Sequence, residues 1–238
     1  MLTLYTTPRA EGGFPSLSPF CAKLEVWLDL AGIEYTRRNG DFRRSPNSKI
    51  PFVDLDGELI ADSQRIIGRC KAKYRPAIDA GLTPEQHGVG RAVQRMLEEA
   101  TYFGMVRARW LTDHGFAFVR SHILDRVVPK LVRPLAYPKI KRDLRRTLHG
   151  QGVLRYPLEE VYQAVIDDAE AIVAIMGERP FLLGEAPSSY DATVFGFLGG
   201  LAISGYSDPA VDHVRGSAAL TAYRERMVAR LGPAMASS

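Results

Sequence analysis

Ile50-Pro51-Phe52-Val53-Asp54-Leu55-Asp56-Gly57-Glu58-Leu59-Ile60-Ala61-Asp62-Ser63 is the stretch on which the reading of this chain turns. Asp56-Gly57 separates two short apolar runs, Phe52–Leu55 and Glu58–Ile60. Aspartate followed by glycine suits a two-residue hairpin, because both central residues of such a turn need positive φ. A helix is expected from Ser63 through Ile66, Ile67 and Cys70. Upstream, Leu2-Thr3-Leu4-Tyr5-Thr6 alternates as a strand does. After a loop rich in glycine, proline and serine from Pro8 to Ser18, the residues Phe20, Leu24, Trp27, Leu28 and Ala31 fall on one stripe of a helix. Gly32 is placed to end that helix, and Ile33-Glu34-Tyr35-Thr36 is expected as a second strand. The order β-α-β then ββ-α is the thioredoxin-like arrangement.

From Thr83 onward the period changes. Thr83-Pro84-Glu85 combines a capping hydroxyl with proline at the first helical position, where a missing N–H costs nothing. Beyond it the periodicity is helical, including Val93, Met96, Leu97, Ala100 and Phe103, then Val161, Val165, Ala169 and Ile172. The expected class is α+β, with a thioredoxin-like domain over 1–75, a linker over 76–82 and an all-helical domain over 83–238. Arg133 to Tyr156, with its prolines and glycines, is expected to be broken or loop-like. Gly68 is expected to weaken the helix that carries it.

Composition bounds the function. In 238 residues the chain carries 46% apolar and 24% charged side chains, an ordinary globular balance. Its two cysteines cannot build a disulfide framework and fit a reducing compartment. Met1 to Pro8 shows no secretory pattern, and no apolar run reaches the roughly 20 residues that span a bilayer. A cytoplasmic location without a membrane span is therefore expected. The net charge of +4 is too small to indicate nucleic acid as a partner. The excess concentrates in Lys130, Arg133, Lys139, Lys141, Arg142, Arg145 and Arg146, read here as a solvated face. The histidines are scattered and show no metal-ligand spacing, so no metal is expected.

Three segments together carry a resemblance. Ser16-Leu17-Ser18-Pro19-Phe20-Cys21-Ala22-Lys23-Leu24-Glu25 resembles the first-helix signature of the metaxin and failed-axon-connections branch of the glutathione transferase superfamily. Lys49-Ile50-Pro51-Phe52 and Ile60-Ala61-Asp62-Ser63 resemble its proline turn and its glutathione-carboxylate motif. Leu97-Glu98-Glu99 through Tyr102 to Arg109-Trp110 resembles the first helix of its C-terminal domain. The resemblance implies a protein that binds glutathione as co-substrate and conjugates its thiolate to a hydrophobic electrophile, and it implies a homodimer. The alternative is a non-catalytic adaptor of the same fold, as the metaxins are.

Each candidate residue has a physical reading. Ser18-Pro19 reads as N-cap and first helical position, where unpaired N–H groups and the helix dipole favour a thiolate. The resemblance implies that a hydroxyl there donates to the glutathione sulfur, so Ser18 is the catalytic candidate; simple capping explains the same residue. Tyr5, Thr7 and Cys21 are alternatives, and Thr6 and Ser16 in the loop region stay open as donors. With serine at position 18 no dithiol cycle is available, and Cys21 is expected to be packed and inert. The resemblance implies a cis Ile50–Pro51 bond that leaves the Ile50 backbone open to pair with a peptide ligand. It also implies that Asp62 and Ser63, at a helix N-terminus, hold the γ-glutamyl end. Lys49, with Arg43 and Arg44, is a candidate for the glycyl carboxylate on charge alone. Tyr102, Phe103, Val106 and Trp110 are candidate cleft walls. Ser188 and Asp191 have capping-box spacing and are read as a folding element.

Overall fold

The structure is a computed structural model that describes residues 1–125 and 128–231. Strands β1 (Leu2–Thr6), β2 (Thr36–Asn39), β3 (Phe52–Leu55) and β4 (Glu58–Ala61) form one sheet in the order β2-β1-β3-β4. β1 runs parallel to β2 and antiparallel to β3, and β3 pairs antiparallel with β4. Asp56 and Gly57 take φ of 54° and 91°, as the Asp-Gly turn predicts. Helix α1 (Pro19–Leu30) follows β1, and α2 (Ser63–Tyr74) follows the hairpin.

The second strand lies three residues later than expected. Gly32, at φ 65°, closes α1 in a Schellman motif: its N–H donates to the Asp29 carbonyl at 3.1 Å and that of Ile33 to the Leu28 carbonyl at 3.0 Å. Ile33 is thus used up as the apolar residue that seals the helix end. Pairing with β1 begins only at Thr36, opposite Thr3. The strand Thr36-Arg37-Arg38-Asn39 is polar because it is an edge strand, so an apolar pattern points to the wrong residues.

The expected stripe on α1 is also too narrow. Every residue from Cys21 to Leu28 is buried, Lys23 and Glu25 included. The sheet covers one side of the helix and the C-terminal helices cover the other.

Those helices are α3 (Pro84–Met96), which runs through a π turn (Leu97–Thr101) into α4 (Tyr102–Leu111), and α5 (Asp113–Val119). Then come α6 (Arg133–Gln151), α7 (Leu158–Met176), α8 (Ser189–Val194), α9 (Pro209–Gly216) and α10 (Ala218–Leu231). Further π turns, Arg120–Leu124 and Phe195–Gly199, extend α5 and α8. Thr83 and Gln86 form a capping box on α3, and Ser188 and Asp191 form the one anticipated on α8. Buried Asp191 also accepts the Leu182 N–H at 2.9 Å and the Tyr223 hydroxyl at 3.2 Å, which confirms its structural role.

Helix α6 corrects the expectation of a broken segment. Most of its punctuating residues sit near its ends. Pro134 lies in the first turn, where N–H groups lack partners anyway. Pro138, inside the helix, removes one early bond. Gly152, at φ 111°, ends the helix. Among the described residues no helix is long and apolar enough to cross a membrane.

The two halves meet through α1. Trp27 donates its indole N–H to Ser189 Oγ at 2.7 Å, and Ser189 donates through its own N–H and hydroxyl to Asp79 at 2.8 and 2.6 Å. Closest approach is at Gly196, where an added Cβ would sit 2.7 Å from the Lys23 nitrogen and 2.9 Å from the Pro19 carbonyl oxygen. Both neighbours are backbone and cannot move aside singly. Gly196→Ala is expected to cost about 3 kcal/mol in a urea unfolding experiment, whereas Gly184→Ala, with open space around it, is expected to cost far less.

Candidate functional site

The chain between β1 and α1 is a compact loop, and its order comes from charge. Glu25, fully buried, is met by Arg9 at 2.9 Å and Arg37 at 3.1 Å. Arg37 also donates to the carbonyls of Thr7 (2.5 Å) and Pro15 (3.3 Å). Phe14 packs against Phe195 with ring centroids 5.2 Å apart. Arg109, on α4 and almost wholly buried, donates to the Leu17 carbonyl at 2.7 Å. The approach to α1 is therefore held from three directions.

This arrangement sorts the candidate hydroxyls. Ser16 is buried, accepts the Ser18 N–H at 2.9 Å and shares a hydrogen bond with Thr7 Oγ1. Thr6 is buried on the core face of β1, and its hydroxyl has no partner among the described residues. Ser18 occupies the N-cap position, with φ −85° and ψ 118°, yet its side chain makes no capping hydrogen bond. Its hydroxyl is partly exposed at the positive end of a 12-residue helix. Plain capping does not account for it.

Cys21 is buried, with no exposed surface. Tyr5 lies on the face of β1 opposite Leu4, stacked on Phe52 at 4.5 Å, with the Arg44 guanidinium 5.0 Å from its ring centre. Leu2 and Leu4 join the core with Leu24, Val26 and Leu28, so Tyr5 faces away from α1.

The Ile50–Pro51 bond is cis. Ser45 and Asn47 shape the turn before it: both accept the Lys49 N–H, at 3.3 and 3.2 Å, and Ser45 donates to the Lys49 carbonyl at 2.5 Å. The Lys49, Arg43 and Arg44 side chains are exposed. Asp62, at φ 78°, caps α2 by accepting the N–H groups of Gln64 and Arg65 at 3.0 and 3.1 Å. Ser63 is buried in the first turn of that helix.

A partly buried polar network next to Asp62 has no counterpart in the sequence pattern. Gln64 Oε1 accepts from Lys23 Nζ at 2.8 Å and from Gln94 Nε2 at 2.5 Å; Lys23 also pairs with Glu98, which lies in the π turn. Arg91 donates to Gln94 at 3.2 Å. Burial pushes the Lys23 ammonium down from its ordinary pKa, opposed by Glu98 and Asp62. The available clue is a lysine at a position flanked by apolar residues on every side of a helix. The network ties α1, the start of α2 and the α3–α4 junction into one frame.

Beside Ser18 the surface is aromatic. Phe20 meets Tyr102 at 4.9 Å and Phe197 at 5.3 Å, both edge-on, and Tyr102 meets Phe103 at 5.3 Å. Tyr102, Phe103, Val106 and Trp110 are all half-buried along α4. Of the anticipated walls, Tyr102 meets Phe20 in the first turn of α1, and Phe103 joins it through Tyr102.

Residues 19–115 match the family model for the glutathione S-transferase N-terminal domain, and residues 165–227 match that for the glutathione S-transferase C-terminal domain. The failed axon connections protein of Drosophila melanogaster is 32% identical over 77% of this chain; the chain spans less than half, 46%, of that protein. The isoprene-epoxide–glutathione S-transferase of Rhodococcus sp. (strain AD45) is 30% identical over 83% of this chain and 85% of its own length. Among solved structures, a glutathione S-transferase of class Gtt2 from Vibrio parahaemolyticus superposes with a TM-score of 0.61 at 15% identity, covering 99% of this chain and 98% of that one.

The network makes a test. Lys23→Met leaves the Glu98 carboxylate nearly buried without its cation and should cost about 3 kcal/mol by denaturant unfolding. Adding Glu98→Gln should recover most of the loss. An additive double variant would show that the two side chains are not coupled.

Proposed function

Because the chain belongs to the glutathione S-transferase family, in a branch it shares with the failed axon connections protein, we propose that it binds glutathione and conjugates it, through its thiolate sulfur, to a hydrophobic electrophile. The single observation that carries this reading is the partly exposed Ser18 hydroxyl, which has no capping bond to make. In the proposed complex the Ser18 hydroxyl donates to the glutathione sulfur, and the N-terminus of α1 adds partial positive charge. Both favour thiolate over thiol at neutral pH. The Ile50 backbone at the cis bond pairs with the cysteinyl unit. The first turn of α2 and the Ser63 hydroxyl hold the γ-glutamyl carboxylate, and Lys49 faces the glycyl carboxylate.

The reaction needs no group beyond these. The thiolate attacks an electrophilic carbon held against Phe20, Tyr102 and Phe103, and a C–S bond forms as the carbon's bond to its leaving atom breaks. The likeness to the Rhodococcus protein suggests an epoxide; the ring C–O bond then opens and the alkoxide takes a proton from solvent. A non-catalytic reading also has support, from the likeness to the failed axon connections protein. It predicts glutathione binding without turnover, or no binding.

Calorimetry together with a conjugation assay separates the two. Wild-type protein is expected to bind glutathione, and Ser63→Ala to weaken binding about tenfold by removing one hydrogen bond to a charged group. No conjugation of small epoxides, whether or not glutathione binds, would favour the adaptor.

A further inference from the structure

Helix α6 presents a basic face on which, among the described residues, no other element packs, and the turn before the helix adds exposed apolar side chains. Leu131 is 95% and Leu135 80% exposed, with Val132 between them at 47%. Leu135, Lys139, Arg142 and Arg146 recur at i, i+4, i+7 and i+11, so they follow one side of the helix. The helix contains one acidic residue, Asp143, engaged by Lys139 at 2.7 Å and Arg142 at 3.6 Å. Arg145 and Arg146 are exposed. The other side of α6 fixes its position: Tyr137 donates to Asp125 at 2.6 Å, Lys141 lies 3.8 Å over the Phe116 ring, and Leu148 is buried. The leucines are therefore not waiting to complete the core.

We propose that this face docks on an anionic phospholipid bilayer. Leu131 and Leu135 enter the boundary between headgroups and acyl chains, and Lys139, Arg142, Arg145 and Arg146 lie against the lipid phosphates. An amphipathic element with leucines and several cations on one side has the composition of an interfacial helix. A protein partner would need walls beside its anchors, since interface energy concentrates in packed pockets. Leu131, at 95% exposure, stands clear of any wall, and a bilayer requires none. The face lies outside the hydroxyl cluster around Ser18, and its docking does not rest on the glutathione reading.

Flotation with vesicles of phosphatidylcholine, with and without phosphatidylserine and at low and high salt, tests the proposal. Binding is expected only with phosphatidylserine and should fall steeply as salt rises. The triple variant Arg142→Glu, Arg145→Glu, Arg146→Glu should weaken it about 100-fold or more. Leu131→Ser with Leu135→Ser should weaken it about tenfold per leucine. All these side chains are exposed, so circular dichroism and the unfolding midpoint should show intact folding in both variants. Absence of binding, equal binding to pure phosphatidylcholine, or binding that neither variant changes would overturn the proposal. So would self-association that the leucine variant abolishes without any vesicle binding, which would assign the face to a second copy. Equal binding to polyglutamate, insensitive to the leucines, would assign it to an acidic protein and overturn it as well.

Discussion

Helix α1 is wedged between the sheet and the C-terminal helices, and most of the remaining architecture depends on that double burial. A helix covered on all sides cannot vary one contact without disturbing the rest, because interiors are close-packed. The π turn Phe195–Gly199 reaches within contact of the α1 backbone only because Gly196 has no side chain. The same turn sends Phe195 to Phe14 of the loop before α1 and Phe197 to Phe20 at its start. The first turn of α1, where the sulfur chemistry is proposed, is thus positioned by the second domain as much as by the first.

Burying most of α1 forces charged side chains into the interior, and each of these meets a partner. Glu25 is neutralised by Arg9 and Arg37; Arg37 also holds the loop carbonyls of Thr7 and Pro15, and Arg9 that of Gly13. Lys23 is met by Glu98 and Gln64. Arg109 directs its donors to Leu17, Gly200 and Ser204. Buried ion pairs contribute little net stability against desolvation; here they specify geometry. They convert an insertion of glycines and prolines into a fixed approach, leaving the Ser18 side chain with no structural work.

How much of this is legible in the sequence depends on whether the signal is local. The Asp56-Gly57 turn, the Gly32 helix stop, the Thr83-Pro84 start and the Ser188–Asp191 box are each written within a few residues, and each stands where the sequence puts it. The cis bond before Pro51 is legible through resemblance, not through any local rule. β2 is misplaced because a polar edge strand has no apolar pattern and Ile33 serves the helix instead. α6 is misread when prolines and glycines are counted without regard to place: all but Pro138 lie in its end turns or just beyond, and Pro138 removes a single bond. Lys23 and Gln64 lie far in sequence from each other and from the pair Gln94 and Glu98, and the four converge only once α1, α2 and the α3–α4 junction are packed. Ser16 and Ser18 are chemically alike two residues apart, and only the folded loop shows which of them is occupied.

The most direct test of the account is the ionisation of bound glutathione, measured as thiolate absorbance across pH in wild-type protein and in Ser18→Ala. With Ser18 as donor, wild type should hold the bound thiol about two units below its free value, the range a helix N-terminus and one donor can reach, and Ser18→Ala should return most of that shift while glutathione still binds. A bound thiol that titrates as in free solution, or one whose depression survives Ser18→Ala unchanged, would contradict the account.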